Sequence, residues 1–315
     1  MEAVSQPFLN VQTLLHLSQP RARGPWFWYA VGIFSLIVMG MVLLNRQSPA
    51  FGQAAQLLSG VLMLLLVTLL AMASVSIVKK HRAEQQRLAA ASELVQLRRW
   101  TEAAMLLQQI LSVPARTPQA RIQALIYLSG VLARYHRFDD VIAVHNHLLE
   151  EDMVDPGTEH ALKLGRAMAM LREDHLFDAD RAISELRRTA ARPAEPAADA
   201  ADSPSSRSTT ASQHESAGLA LIEIYRDVKT GHPEEAIEIF NGKLPVLRDQ
   251  LGHRIADAYA LAARAYDLLG RAEEAQSAYE KATLLSPPIE LHRRYPEVAE
   301  LSGKYKPALA PAEAA

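Results

Sequence analysis

Two long runs of apolar residues lie near the N-terminus of the chain. Residues 26–44 and 57–78 contain no Asp, Glu, Lys or Arg. As helices they would extend about 28 and 33 Å, which matches the roughly 30 Å hydrocarbon core of a bilayer. The alternative is a pair of buried core helices, but such helices usually carry a polar stripe that both runs lack. The pattern therefore predicts two transmembrane helices, over 26–44 and 57–78.

The positive charges around these runs predict their orientation. Few precede or separate the runs and more come after them: Arg21 and Arg23 come before, Arg46 lies in the connection, and Lys79, Lys80, Arg82, Arg87 and Arg98 come after. Because positive residues stay on the cytoplasmic side, we expect both ends of this hairpin in the cytoplasm. Residues 1–25 form either a short interfacial helix or a disordered leader.

After Lys79 the pattern changes to amphipathic helices joined by short polar turns, and residues 256–288 show it most regularly. Ala263 and Ala275 stand at positions 8 and 20 of this segment, Tyr266 and Tyr279 at 11 and 24, and Gly270 at 15. Small residues allow two helices to approach closely, the aromatic residues fill the space between them, and glycine ends the first helix. The segment therefore predicts a helical hairpin.

In this order of residues the segment resembles a tetratricopeptide repeat. More degenerate copies extend over most of residues 84–288: Gly231, Ala236 and Phe240 repeat the turn and second-helix pattern, and Arg98 replaces the turn glycine of another copy. The resemblance implies helical hairpins stacked into a solenoid. We therefore predict an all-α fold, in which an N-terminal two-helix transmembrane hairpin is followed by a tetratricopeptide-like α-solenoid.

Residues 191–213 interrupt the helical pattern. They are rich in Ala, Pro and Ser and contain no aromatic residue and no aliphatic residue beyond alanine. Such a segment cannot bury enough apolar surface to offset its ordering entropy. We predict a disordered linker over 191–213, between helical lobes at 79–190 and 214–304, and a flexible tail at 305–315.

Composition narrows the range of functions. With 33 Lys and Arg against 35 Asp and Glu, the chain has no basic surplus for nucleic acid. The absence of cysteine excludes disulfides and thiolate metal sites. The sequence also lacks the motifs of phosphate-binding loops, dinucleotide-binding loops, serine hydrolases and zinc proteases. We expect no enzymatic activity, no cofactor and no metal site.

The resemblance also implies a binding surface, because the first helices of tetratricopeptide repeats line a groove that holds a peptide. The matching positions predict an apolar groove with basic points, and the alternative for each residue is that it only keeps the solenoid soluble. The candidate residues are Ile126, Tyr127, Arg134, Leu162, Lys163, Arg166, Leu261, Arg264 and Asp267.

Together these patterns predict a membrane-anchored scaffold or adaptor that holds a protein partner at the cytoplasmic face of a membrane. The alternative is an accessory or assembly subunit of a larger membrane complex, and an enzyme is the third and least supported option. The expected partners are a protein or peptide and, through the two spans, the lipid bilayer, without nucleic acid. The abundant Ala and Arg and the absent Cys suit a multi-pass protein of a bacterial inner membrane.

Overall fold

The computed structural model describes residues 10–19, 32, 35, 40, 52–115, 117–150, 154–191 and 206–305. Every regular element in these ranges is helical, which is consistent with the predicted α-solenoid. The α-helices are α1 Val11–Leu17, α2 Gly52–Gln96, α3 Trp100–Leu111, α4 Pro118–Arg134, α5 Phe138–Glu150, α6 Pro156–Arg172, α7 Leu176–Ala191, α8 Ser206–Thr230, α9 Pro233–Leu251, α10 Ile255–Leu268, α11 Ala272–Leu285, α12 Pro288–Arg294 and α13 Leu301–Lys304. Short 3₁₀-helices cover Gly252–Arg254 and Pro296–Val298.

The chain divides into two compact units, Met1–Tyr135 and His136–Ala315. In the first unit the later part of α2 packs against α3 and α4. The interface uses small and branched apolar residues, which lets the helices approach closely. Its fully buried members include Ala91, Ala103, Ala104, Leu107, Ala124, Leu125, Leu128, Val131 and Leu132.

The N-terminal leader contributes a short helix to this unit. Asn10 caps α1 by accepting a hydrogen bond from the Thr13 backbone N–H at 3.2 Å. The apolar side of α1 is buried, and α1 packs against α3. The buried Arg121 of α4 donates to the Leu15 carbonyl at 3.2 Å and to the Ser18 hydroxyl at 3.1 Å. Val11, Leu14 and Leu15 of this predicted interfacial helix are thus covered by protein, whereas Leu17 is exposed.

The predicted membrane localisation is wrong. Among the helices that the structure describes, none is long and apolar enough to cross a membrane. Residues 57–78 do not form a helix of their own, because they continue without a break into the charged residues after Lys79 in the 45-residue α2. The multi-pass localisation is therefore contradicted, and the transmembrane hairpin, the membrane anchor and the bilayer as a partner lose their support. Except for positions 32, 35 and 40, the predicted first span lies outside the described residues.

The hairpins share one turn conformation. The residue that joins the two helices of a hairpin has a positive φ angle: Arg98 at 58°, Asp174 at 61°, Gly231 at 78° and Gly270 at 73°. The backbone N–H after such a residue bonds to a carbonyl of the preceding helix, as from Arg271 to Tyr266 at 2.9 Å. This left-handed C-terminal cap ends one helix and starts the next.

The second unit has a continuous apolar core that runs from α6 to α13. Residues of α6 and α7 share this core with α8 and α9, so the boundary between compact units falls at Tyr135 and not at the predicted linker. Residues 206–213 of that linker belong to the first turns of α8. Residues 192–205 lie outside the described residues, so their disorder stays a prediction.

Candidate protein-binding surface

The residues after the last hairpin form a C-terminal segment, residues 288–305, which folds back onto the second unit. Its elements are short because prolines interrupt it: Pro288 starts α12 and Pro296 starts the next 3₁₀-helix. Tyr295, Val298 and Leu301 succeed one another at spacings of three and are all fully buried. One side of this segment therefore belongs to the apolar core.

Tyr295 is the most enclosed anchor of the segment. Its ring meets Tyr225 of α8 edge to face at 5.1 Å, and the guanidinium carbon of Arg172 lies 5.5 Å from its centre. Its hydroxyl donates to Asp257 of α10 at 3.4 Å. Burial raises the pKa of Tyr295 to about 12, and the neighbouring Asp257 acts in the same direction. The hydroxyl thus stays protonated and acts as a donor.

Glu297 is the next contact along the segment. It accepts a hydrogen bond from the Tyr225 hydroxyl at 3.2 Å and lies 3.5 Å from the Lys229 ammonium. Lys229 is held in place because it also donates to the Leu171 carbonyl at 2.6 Å and pairs with Asp174. Burial raises the pKa of Tyr225, and Glu297 adds to this effect. The Glu297 carboxylate is therefore bound by the Tyr225 hydroxyl and the Lys229 ammonium.

The end of the segment contacts α10 through charged side chains. The Arg264 guanidinium binds Glu300 at 2.8 Å, while the Lys304 ammonium and the Tyr305 hydroxyl bind Asp267 at 2.9 and 3.0 Å. Burial acts to raise the pKa of Asp267, but the bonds from Lys304 and Tyr305 and the nearby Arg264 outweigh it and lower that pKa. Asp267 is therefore ionised when it holds the segment.

The residues that hold this segment define a groove face on the first helices of successive hairpins. Its members are Arg172 of α6, Tyr225 and Lys229 of α8, and Asp257, Arg264 and Asp267 of α10. Each fully buried Val or Leu contributes about 1.5 to 3 kcal/mol, whereas exposed ion pairs contribute about 0 to 1 kcal/mol. Glu300 and Lys304 are 65% and 54% exposed. Apolar anchors thus supply most of the binding energy, and the charges set the register.

The structure places the candidate residues of α10 in two environments. Arg264 and Asp267 belong to the groove face, 3.1 Å from each other. Leu261, by contrast, is fully buried in the core and does not reach a surface. A helix position that would face a peptide in a regular repeat is here used for packing.

The candidate residues of α6 contact neighbouring helices. Lys163 pairs with Glu159 at 2.8 Å and with Glu185 at 3.5 Å, and its hydrogen bond with Glu159 raises its pKa. Arg166 donates to Asn146 of α5 at 3.1 Å. Leu162 is buried in the second unit. These residues therefore tie α6 to α5 and α7.

The remaining candidates belong to the first unit. Ile126 and Tyr127 are half-buried on α4, where the Tyr127 hydroxyl accepts a hydrogen bond from Gln123 at 3.0 Å. The Arg134 guanidinium lies 5.7 Å from the centre of the Trp100 ring. Their predicted role beside Lys163 and Arg166 stays a prediction, because the two groups belong to separate compact units.

Sequence reasoning missed Arg172, Tyr225, Lys229 and Asp257 as members of the groove face. Asp257 had a signal, since it stands at position 2 of the repeat, which faces the groove in the resembled family. Arg172 and Tyr225 lie in degenerate copies whose register the sequence alone does not fix. Within the described parts of the chain, no group of three or more His, Asp or Glu residues could hold a metal ion.

Comparison with known families supports the repeat assignment. The family model of the tetratricopeptide repeat matches residues 256–288, which is the segment that the sequence pattern predicts. The chain therefore contains a tetratricopeptide repeat in an all-helical fold, and such repeats generally mediate binding to protein partners. Neither the curated proteins nor the solved structures include a match to this chain.

Proposed function

We propose that this protein is an interaction scaffold that binds a segment of a partner protein on the groove face of its second unit. The observation that carries the proposal is that the groove face already holds a segment of polypeptide, residues 295–305, through side chains of α6, α8 and α10. The tetratricopeptide repeat at 256–288 supports the same class of function.

The chemistry of the groove face suits binding without catalysis. Its tyrosine hydroxyls are held protonated by burial, and its charged groups already have partners of opposite charge. Stacked helical repeats offer extended surfaces for a partner. The proposal therefore assigns the protein no enzymatic activity and no cofactor.

Charge reversal at Arg264 tests the proposal. Arg264→Glu removes the cation that faces Glu300, so a partner with an acidic residue at this point loses its match and meets repulsion instead. Arg271→Glu is the control, since it makes the same charge change at an exposed residue at the start of α11. Tagged wild type and both variants are expressed equally, checked for equal thermal stability, and their copurifying proteins compared.

We expect the wild type and Arg271→Glu to recover the same partner and Arg264→Glu to lose most of it. Equal recovery of every partner by all three proteins would overturn the assignment of the groove face as the binding surface. Reversing Lys163 and Arg166 in a second experiment measures whether the adjoining part of α6 also contributes to the captured partner.

A further inference from the structure

The C-terminal segment covers the core of the second unit, and its side chains also have the chemistry of a bound ligand. We propose, resting on the function above, that residues 295–305 act as an internal ligand of the groove face, and that the physiological partner competes with them by presenting the same chemistry. Counted from a tyrosine at position 0, that chemistry places acidic residues at positions 2 and 5 and apolar residues at positions 3 and 6. A basic residue follows at position 9 and an aromatic residue at position 10.

The order of contacts gives this recognition pattern. Along the segment, Tyr295 enters the pocket of Arg172, Tyr225 and Asp257, and Glu297 then reaches Tyr225 and Lys229. Val298 and Leu301 are buried between these polar contacts. The pattern ends on α10, where Arg264 binds Glu300 and where Asp267 binds Lys304 and Tyr305.

The tyrosine is the most selective point of the pattern. Asp257 is fully buried and receives both the Tyr295 hydroxyl and the Arg294 guanidinium. A phenylalanine in place of the tyrosine would leave a buried carboxylate oxygen without this donor, which is costly in a site closed to water. The groove face therefore prefers a partner with tyrosine over one with phenylalanine.

The segment is also built so that a competitor can replace it. The two elements within residues 295–305 contain three and four residues, and helices this short are unstable in water without tertiary packing. The polar contacts at its end use the exposed side chains of Glu300 and Lys304. However, a tethered segment acts at an effective concentration of about millimolar, so it strongly suppresses binding of a free peptide.

The test measures binding of a fluorescent peptide with the sequence of residues 295–305 to three proteins. They are the full chain, the full chain with Glu300→Ala and Lys304→Ala, and a chain that ends at Arg294. We expect the affinity to rise in this order, with the truncated chain binding on the order of 100-fold more tightly than the full chain. A scrambled peptide and a peptide with the tyrosine changed to phenylalanine should bind more weakly.

The double variant protects the test against misfolding, because it changes only exposed side chains and leaves the buried anchors in place. If the truncated chain unfolds, tighter binding by the double variant still supports the proposal. Equal affinity of the folded truncated chain and the full chain for the peptide would overturn it, and so would peptide binding by these proteins that is no tighter than their binding of the scrambled peptide.

The two proposals fail in different ways. If Arg264→Glu loses the partner but no protein binds the peptide, the proposal of an internal ligand is wrong and the proposal of a scaffold stands. Peptide binding by the truncated chain together with unchanged capture by Arg264→Glu would instead support the internal ligand, and the partner would then bind elsewhere.

Discussion

The hairpin turns show how single residues set the path of the chain. Arg98 has a φ of 58°, a left-handed conformation in which the Cβ atom crowds the next carbonyl oxygen. The corresponding turn of the best-matched repeat uses Gly270, with a φ of 73°, and glycine has no such atom. The copies that lack glycine here, with Arg98 and Asp174 at the turn, therefore keep the turn and accept its strain.

We predict that Arg98→Gly raises the free energy of unfolding of the first unit by about 1 kcal/mol, because it removes this strain at an exposed position. The measurement is chemical denaturation of wild type and variant. Gly270→Ala is the reciprocal control and should destabilise the second unit by a similar amount. A loss of stability in Arg98→Gly would show that its side chain matters more than its backbone.

His145 is the residue from which we expect a pH dependence in the stability of the second unit. Its ring lies so close to α6 that a Cβ atom at Gly165 would be 2.7 Å from Cε1. Burial lowers the pKa of His145 to about 4, and the positive charge of Arg166 adds to this effect. The folded state thus favours the neutral ring, whereas in the unfolded chain the ring takes up a proton near pH 6.5.

We predict that the stability of the second unit is fully present above pH 6.5 and declines as the pH falls from 6.5 towards 4. The loss from this one group is on the order of 3 kcal/mol, because protonation favours the unfolded chain over this interval. His145→Leu should flatten the decline in denaturation curves recorded at several pH values. His175→Gln, at an exposed position, should leave it unchanged, and an unaltered slope in His145→Leu would contradict the prediction.

At the scale of elements, the hairpin of α10 and α11 depends on alanines at its centre. Ala263 and Ala275 are fully buried where the two helices meet. Because there is no space for a larger side chain, we predict that Ala275→Leu destabilises the second unit by about 1 to 3 kcal/mol. Ala272→Leu adds the same atoms at an exposed position of α11 and should cost less than about 0.5 kcal/mol. Thermal unfolding of both variants makes the comparison, and equal stabilities would contradict the close packing.

The same hairpin shows what sequence reasoning can predict. Ala263, Ala275 and Gly270 each have a local reason for their residue type, so the sequence pattern of this repeat was sufficient and is confirmed by the family match. The C-terminal segment comes after Pro287, where the repeat pattern ends. Its anchors at 295, 298 and 301 are buried by residues that are distant in sequence. Its position on the groove face was therefore not predictable from local pattern.

The prediction of a transmembrane helix over 57–78 was made from the apolar run alone, and this explains why it was wrong. The uncharged run at 57–78 meets the length criterion of a span, but that criterion considers the run apart from the residues that come after it. In the structure the run continues into a charged stretch of α2, whose buried Leu88 and Ala91 belong to the core of the first unit. A hydrophobic run is thus an incomplete description of the helix that contains it.

At the scale of the whole molecule, helices from before and after residues 192–205 pack together in the second unit. Ile183 and Leu186 of α7 share the apolar core with Ile222 and Tyr225 of α8. The interface also contains an ion pair of Arg187 with the buried Glu223 at 2.5 Å. The helices before and after the predicted linker therefore share one apolar core within this unit.

We predict that cutting the chain within residues 195–203 leaves the two fragments associated, because the apolar core between α7 and α8 does not depend on the connection. A recognition sequence for a site-specific protease is inserted there, and the cleaved protein is analysed by size-exclusion chromatography, with both fragments expected in one peak. Ile183→Asp places a charge in the shared core, so the same cleavage should then release the fragments. Separation of the wild-type fragments at micromolar concentration would show that the linker, and not the core, holds the unit together.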